Sequence, residues 1–201
     1  MNDTSPKIRR SRLPARAAGF SFTELLIAMT VLLVMLALAV VAYQKLWPGV
    51  KADAALDGVE SQMRMARQDA LTQRRTFELE FQAPNLITIS RVEISGSLTA
   101  EPSYTLPYNA TFQVFAGLPD TPDAFGDSAA IDFTDVNGGA GGDTLMFLSN
   151  GSVTDAAGNL VNGTVFMGLG TDSTTARAVT LYGITGIVHG YRYDTATDTF
   201  Q

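Results

Sequence analysis

The sequence predicts an α+β protein: a long N-terminal helix, with a membrane half and an amphipathic half, packed on an antiparallel β-sheet domain. Three observations carry that prediction. Residues 25–43 read LLIAMTVLLVMLALAVVAY and hold no charge. Residues 50–75 repeat apolar side chains at steps of three and four. From Thr76 onward the period falls to two, with turn residues between the runs.

The apolar run comes first. About 20 apolar residues in a helix span a hydrocarbon core of ~30 Å. Phe20 and Phe22 extend the run at its start, and Leu, Met and Ala dominate it. Backbone groups in lipid must pair within the segment, so a spanning segment here is helical. Tyr43 and Trp47 stand where aromatic interface anchors are expected. Lys7, Arg9, Arg10, Arg12 and Arg16 all precede the run, which orients the N-terminus to the cytoplasm and the remainder outside. A secretory signal has a shorter apolar region, about 7–15 residues, closed by a small-residue cleavage site. The exit here, Val40-Val41-Ala42-Tyr43-Gln44-Lys45, offers no such site. A generic anchor would fit the apolar run but gives no reason for Glu24, a lone carboxylate at its mouth.

Pro48-Gly49 is expected to interrupt or kink the helix, because proline lacks an N–H and glycine adds backbone freedom. Beyond it, Ala52, Leu56, Val59, Met63, Ala66 and Ala70 form a one-sided stripe. Asp53, Asp57, Glu60, Gln62, Arg64, Arg67 and Gln68 fall mostly on the other faces, with Glu60 and Arg64 one turn apart. The stripe is expected to cover the chain's own sheet.

Thr76–Phe81 and Leu86–Ile94 alternate on either side of Ala83-Pro84-Asn85 and predict a hairpin. Tyr104–Phe115 contains Pro107, so its first part reads as edge strand or loop. Further strands are expected at Ala130–Phe133, Thr144–Ser149, Gly163–Leu169, Ala176–Tyr182 and Gly186–Tyr193. Gly117–Ala129 is linker-like but too short to separate two domains; within it Asp120, Asp123 and Asp127 read as a solvated acidic loop.

Little catalytic chemistry is on offer. There is no cysteine, so disulfides, thiol catalysis and cysteine zinc sites are excluded. His189 is the one histidine, and no serine stands in a nucleophile elbow. No phosphate loop or dinucleotide fingerprint occurs, and the acids single out no catalytic pair. The sequence therefore argues against an enzyme and assigns no cofactor and no metal. Gly138–Asp143 matches one copy of a calcium-binding repeat, with Asp132, Asp135 and Asn137 nearby. Such sites need stacked copies, and a flexible loop is the default reading of residues 137–143.

Gly19-Phe20-Ser21-Phe22-Thr23-Glu24, between a basic segment and the apolar run, resembles the processing site of type IV prepilins and type II secretion pseudopilins. The resemblance implies a pilin-like fold with a cleaved leader at 1–19, a transmembrane and assembly helix at 20–47, and a periplasmic domain at 48–201. That domain would open with the amphipathic helix 50–75. Prepilin peptidase would cut between Gly19 and Phe20, and Phe20 would be N-methylated. Glu24 would become the fifth mature residue and pair with the N-terminal amine of a neighbouring subunit. A buried carboxylate that meets a buried ammonium is compensated, so such a pair sets register.

The C-terminal half is similar to the GspH/FimT group of pseudopilins and minor pilins. Phe147 and Gly151 match one turn element of that group; Thr185, Gly186 and Val188 match the other. The implied partners are other pilins or pseudopilins, prepilin peptidase and an inner-membrane assembly platform. The implied location is the inner membrane as a single-pass protein, then a pilus or pseudopilus filament whose assembly the subunit helps to initiate or cap.

The alternative within the group is a FimT-like role in DNA uptake. Its weak nucleic-acid contact would be Arg192 flanked by Tyr191 and Tyr193, whose rings could stack on bases. Charge argues against it. Without residues 1–19 the chain keeps nine basic and nineteen acidic residues, a net charge near −10.

Overall fold

The computed structural model describes residues 19–201. The basic leader segment lies outside the described residues. Two compact units divide at Tyr43 and Gln44.

The first unit is the apolar part of helix α1, which spans Phe22–Gln73 in all. Its side chains from Leu25 to Tyr43 are exposed, and the run is long and apolar enough to cross a membrane. Helical structure continues through Pro48 and Gly49, so the interruption that the sequence predicted there does not occur. A proline removes a single helical hydrogen bond, and the bonds on either side hold the turn. The Gly49 carbonyl also accepts from Arg177 Nη2 at 3.4 Å.

The second unit holds the rest of α1 and, among the described residues, twelve strands in two antiparallel sheets. The first sheet contains β1 (Phe77–Gln82), β2 (Leu86–Val92), β3 (Leu98–Ala100), β4 (Tyr104–Thr105), β7 (Thr144–Phe147) and β8 (Val153–Thr154). Its order is β3-β2-β1-β7-β8, with β4 also on β2. The second contains β5 (Thr111–Phe112), β6 (Ile131–Asp135), β9 (Val161–Gly168), β10 (Arg177–Tyr182), β11 (Ile187–Asp194) and β12 (Thr199–Phe200). It runs β12-β11-β10-β9-β5, with β6 also on β9. This is the α+β, pilin-like arrangement that the sequence predicts.

The stripe on α1 packs where it was expected. Ala55, Leu56, Val59, Met63, Ala66 and Ala70 share one buried cluster with Leu79, Phe81, Ile87, Phe147, Val179 and Leu181. Burying such side chains is the main stabilising term, at roughly 1.5–3 kcal/mol for each large one. Small residues bring the layers close. A Cβ on Gly58 would fall 1.8 Å from the Tyr104 hydroxyl, and one on Gly190 would meet Leu56 at 3.3 Å.

The second sheet is covered on both faces. Along β10, Arg177, Val179 and Leu181 point to the helix side, and Ala178 and Thr180 to the other. On that outer face Phe166, Ala176, Ala178 and Phe200 form a second cluster with Phe115 and Leu118.

Candidate processing and assembly site

The N-terminal site is built on the start of α1. Gly19 and Phe20 precede the helix and are exposed, and a Cβ on Gly19 would meet nothing within 4 Å. Ser21 caps the first turn: its carbonyl accepts from the Leu25 N–H at 3.1 Å. Glu24 reaches back so that Oε2 accepts from the Ser21 N–H at 3.5 Å. Ser-x-x-Glu at this place is a capping-box pattern. A carboxylate in the first turn also faces the positive end of the helix dipole. Glu24 is exposed on this single subunit.

The two glycine elements of the C-terminal half meet at the helix. Gly151 has φ +87° and Gly186 has φ +63°. A Cβ on Gly186 would lie 2.3 Å from the Gly151 carbonyl oxygen and 2.8 Å from Arg67 Nε. Arg67 Nε donates to that same carbonyl at 3.4 Å. Next to it, the Arg64 guanidinium donates to the Glu60 carboxylate and, at 3.3 Å, to the Val188 carbonyl. Two turns more than thirty residues apart are thus docked on neighbouring turns of α1.

Arg192, Tyr191 and Tyr193 do not share a face. Arg192 is opposite Arg177 in the β10–β11 register, and both donate to Asp53 Oδ1 on α1, at 3.0 and 2.7 Å. Tyr191 and Tyr193 point to the other side of the sheet. Their hydroxyls donate to Asp123 at 3.1 Å and to Asp198 at 2.5 Å. Both phenols are shifted up, Tyr191 chiefly by burial and Tyr193 chiefly by its bond to Asp198.

Asp123 departs from the expected solvated loop. Its side chain is 10% exposed and draws donors from two strands. The Thr180 hydroxyl and Tyr182 hydroxyl both donate to it, the latter at 2.6 Å, and His189 Nδ1 lies 3.5 Å away. Burial pushes this carboxyl up, but the surrounding donors outweigh it and hold it below its ordinary value. Its bond to Tyr182 in turn pushes that phenol up to about 12. Asp123 thereby ties the segment before β6 to the outer face of the sheet. The proline-bounded, acid-rich sequence around it gave no sign of those partners.

In the glycine-rich loop, Asp135 Oδ1 accepts from the backbone N–H groups of Asn137 and Gly139 at 2.6 and 3.0 Å. Among the described residues no cluster of three His, Asp or Glu side chains is placed to hold a metal.

Residues 14–40 match the family model of the prokaryotic N-terminal methylation motif. The chain is type IV pilin-like. The motif opens α1, whose later part packs on antiparallel sheets. Among solved structures, the pilin-like chain is similar to the minor pseudopilin EpsH from the type 2 secretion system of Vibrio cholerae. That likeness has 12% identity and a TM-score of 0.47, and covers 71% of this chain and 97% of the other. It is also similar to the type IV minor pilin FimU of Pseudomonas aeruginosa, at 16% identity and a TM-score of 0.40, covering 68% and 85%. No curated protein matches the sequence.

Proposed function

We propose that the chain is a GspH/FimT-like minor pilin or pseudopilin, a structural filament subunit rather than an enzyme. The observation that carries this reading is the methylation motif at 14–40 leading straight into an uncharged helical run. Prepilin peptidase cuts between Gly19 and Phe20 and the new Phe20 amine is methylated. The subunit waits in the inner membrane with its N-terminus cytoplasmic and its sheet domain periplasmic. The docked Gly151 and Gly186 turns support membership of the subgroup.

Assembly follows from the same chemistry. Leaving lipid, the apolar helix is covered again by neighbouring subunit helices. Glu24 gives up its long capping bond for a neighbour's N-terminal ammonium, and that charge pair selects one register. The subunit helps to initiate or cap the filament through the assembly platform.

A clean deletion tests this. Loss of sheared surface pili, restored by complementation, assigns the subunit to a type IV pilus. Unchanged pili with loss of exported proteins assign it to a secretion pseudopilus. A deletion that changes neither the pili nor the exported proteins contradicts the proposal.

DNA uptake is the second reading, and the acidic balance disfavours it. Arg192, Tyr191 and Tyr193 already serve carboxylates of the chain itself on two different faces.

A further inference from the structure

We propose that Trp47, Lys51 and Tyr108 form a seat on phospholipid headgroups. This seat holds the turn at Pro107–Asn109 to the bilayer surface while the chain is still anchored. The inference rests on reading residues 25–43 as a membrane span.

Lys51 Nζ lies 5.7 Å from the ring centroid of Trp47 and 5.7 Å from that of Tyr108. Trp47 and Lys51 are one turn apart on α1, and Tyr108 reaches them from the sheet domain. At about 100° per residue, Leu46, Trp47, Val50 and Lys51 fall on one arc of the helix, away from the arc that Ala52, Ala55, Leu56 and Val59 bury. Leu46 is 71% exposed and Val50 56% exposed, so the arc presents apolar surface that the domain leaves uncovered.

Position and composition select lipid as the occupant. The arc begins three residues after Tyr43, where the uncharged run ends, so chain length alone keeps it near the membrane–water interface. Trp and Tyr rings with a lysine beside them are the chemistry of a membrane–water interface. The Lys51 ammonium stands beside both rings, where a headgroup phosphate would meet it. The chain without its leader is near −10, so broad adhesion to an anionic bilayer is disfavoured and a single placed cation makes the contact.

The backbone of the turn adds an independent observation. Tyr108 (φ 57°, ψ 29°) and Asn109 (φ 57°) are consecutive non-glycine residues in the left-handed region. The turn runs between Leu106 and Ala110, both in the buried cluster, and so presents the exposed Tyr108 ring outward from two core anchors.

The chain has one tryptophan and no cysteine, so both probes are clean. The full chain is placed in phosphatidylethanolamine–phosphatidylglycerol vesicles containing lipid spin-labelled near the headgroup. A fluorophore is attached through Asn109→Cys or, as control, Ser95→Cys at an exposed hairpin tip. Quenching at 109 is expected to exceed that at 95 several-fold, and to fall to the control level with Tyr108→Ala and Lys51→Ala added. Trp47 quenching reports insertion separately. Quenched Trp47 with equal signals at 109 and 95 overturns the seat and leaves the span intact. Unquenched Trp47 overturns both. Quenching at 109 that survives both alanine changes overturns the role of the cluster. A 109 signal that tracks the protein-to-lipid ratio shows a second copy on this face and overturns lipid as its occupant.

Discussion

Arg177 Nε donates to Asp53 Oδ1 at 2.7 Å, across 124 residues of sequence. The arginine side chain is 6% exposed and also donates to the carbonyls of Thr174 and Ala176. Asp53 is the charge that compensates it, and so fixes α1 along the β10–β11 edge. Removing one partner of a buried pair leaves the other uncompensated, which costs about 3–5 kcal/mol when both are fully buried. Asp53 is partly solvated, so Asp53→Ala is expected to cost about 2 kcal/mol, while Arg192→Ala, on an exposed side chain, costs about 0–1 kcal/mol. Calorimetric unfolding of the detergent-solubilised chain checks the order; equal losses would contradict it.

Gly186 faces two constraints and Gly151 chiefly one. Both hold positive φ, but a Cβ on Gly186 would strike the Gly151 carbonyl at 2.3 Å, whereas one on Gly151 has its nearest contact at 3.4 Å. Gly151→Ala should cost about 1–2 kcal/mol, as a left-handed alanine does, and Gly186→Ala distinctly more. Gly158→Ala, at φ +89° in open space, is the control. The same unfolding measurement ranks the three.

The Asp123 clamp makes two opposite pH predictions. Its carboxyl is held below the ordinary value, so its stabilisation is present above the unfolded carboxylate range and lost as pH falls through the folded pKa. The Tyr182 phenol is raised to about 12, so its stabilisation is present below the unfolded value near 10 and lost as pH rises from there through about 12. Asp123→Asn removes the charge behind both. Ultraviolet titration should then show Tyr182 returning toward the ordinary tyrosine range and Tyr191, raised chiefly by burial, falling part of the way, together with weakened acid-side dependence of stability. An unchanged titration curve would show that Tyr182 owes its shift to something else.

Glu24→Ala should leave membrane insertion intact and block incorporation into filaments. Fractionation of membranes and sheared filaments, probed with antibody, separates the two. Normal incorporation would remove Glu24 from any registering role.

The long-period features were legible in the sequence. The α1 stripe and the alternating β1 and β2 bury the side chains their periods select, because each spans enough residues to show a period, whereas β9 and β10 are covered on both faces and bury nearly every residue. Strands β3, β8 and β12 were missed: two or three residues carry no period, and pairing partners define them. Pro48 does not interrupt α1, because the hydrogen bonds of the flanking turns carry the helix past it, which local propensity does not show. Asp53 and Asp123 looked like ordinary surface acids. Their meaning comes from arginines and hydroxyls that only tertiary folding brings near. In contrast, the methylation motif at residues 14–40 was readable because it is a local pattern.

Processing at Gly19 is the central claim, and intact-mass analysis of the chain purified from membranes of a host with active prepilin peptidase tests it most directly. The account predicts loss of residues 1–19 and a first residue of N-methylphenylalanine at Phe20, with Gly19→Asp retaining the leader. An N-terminus still at Met1, or a cut after the apolar run, would contradict it.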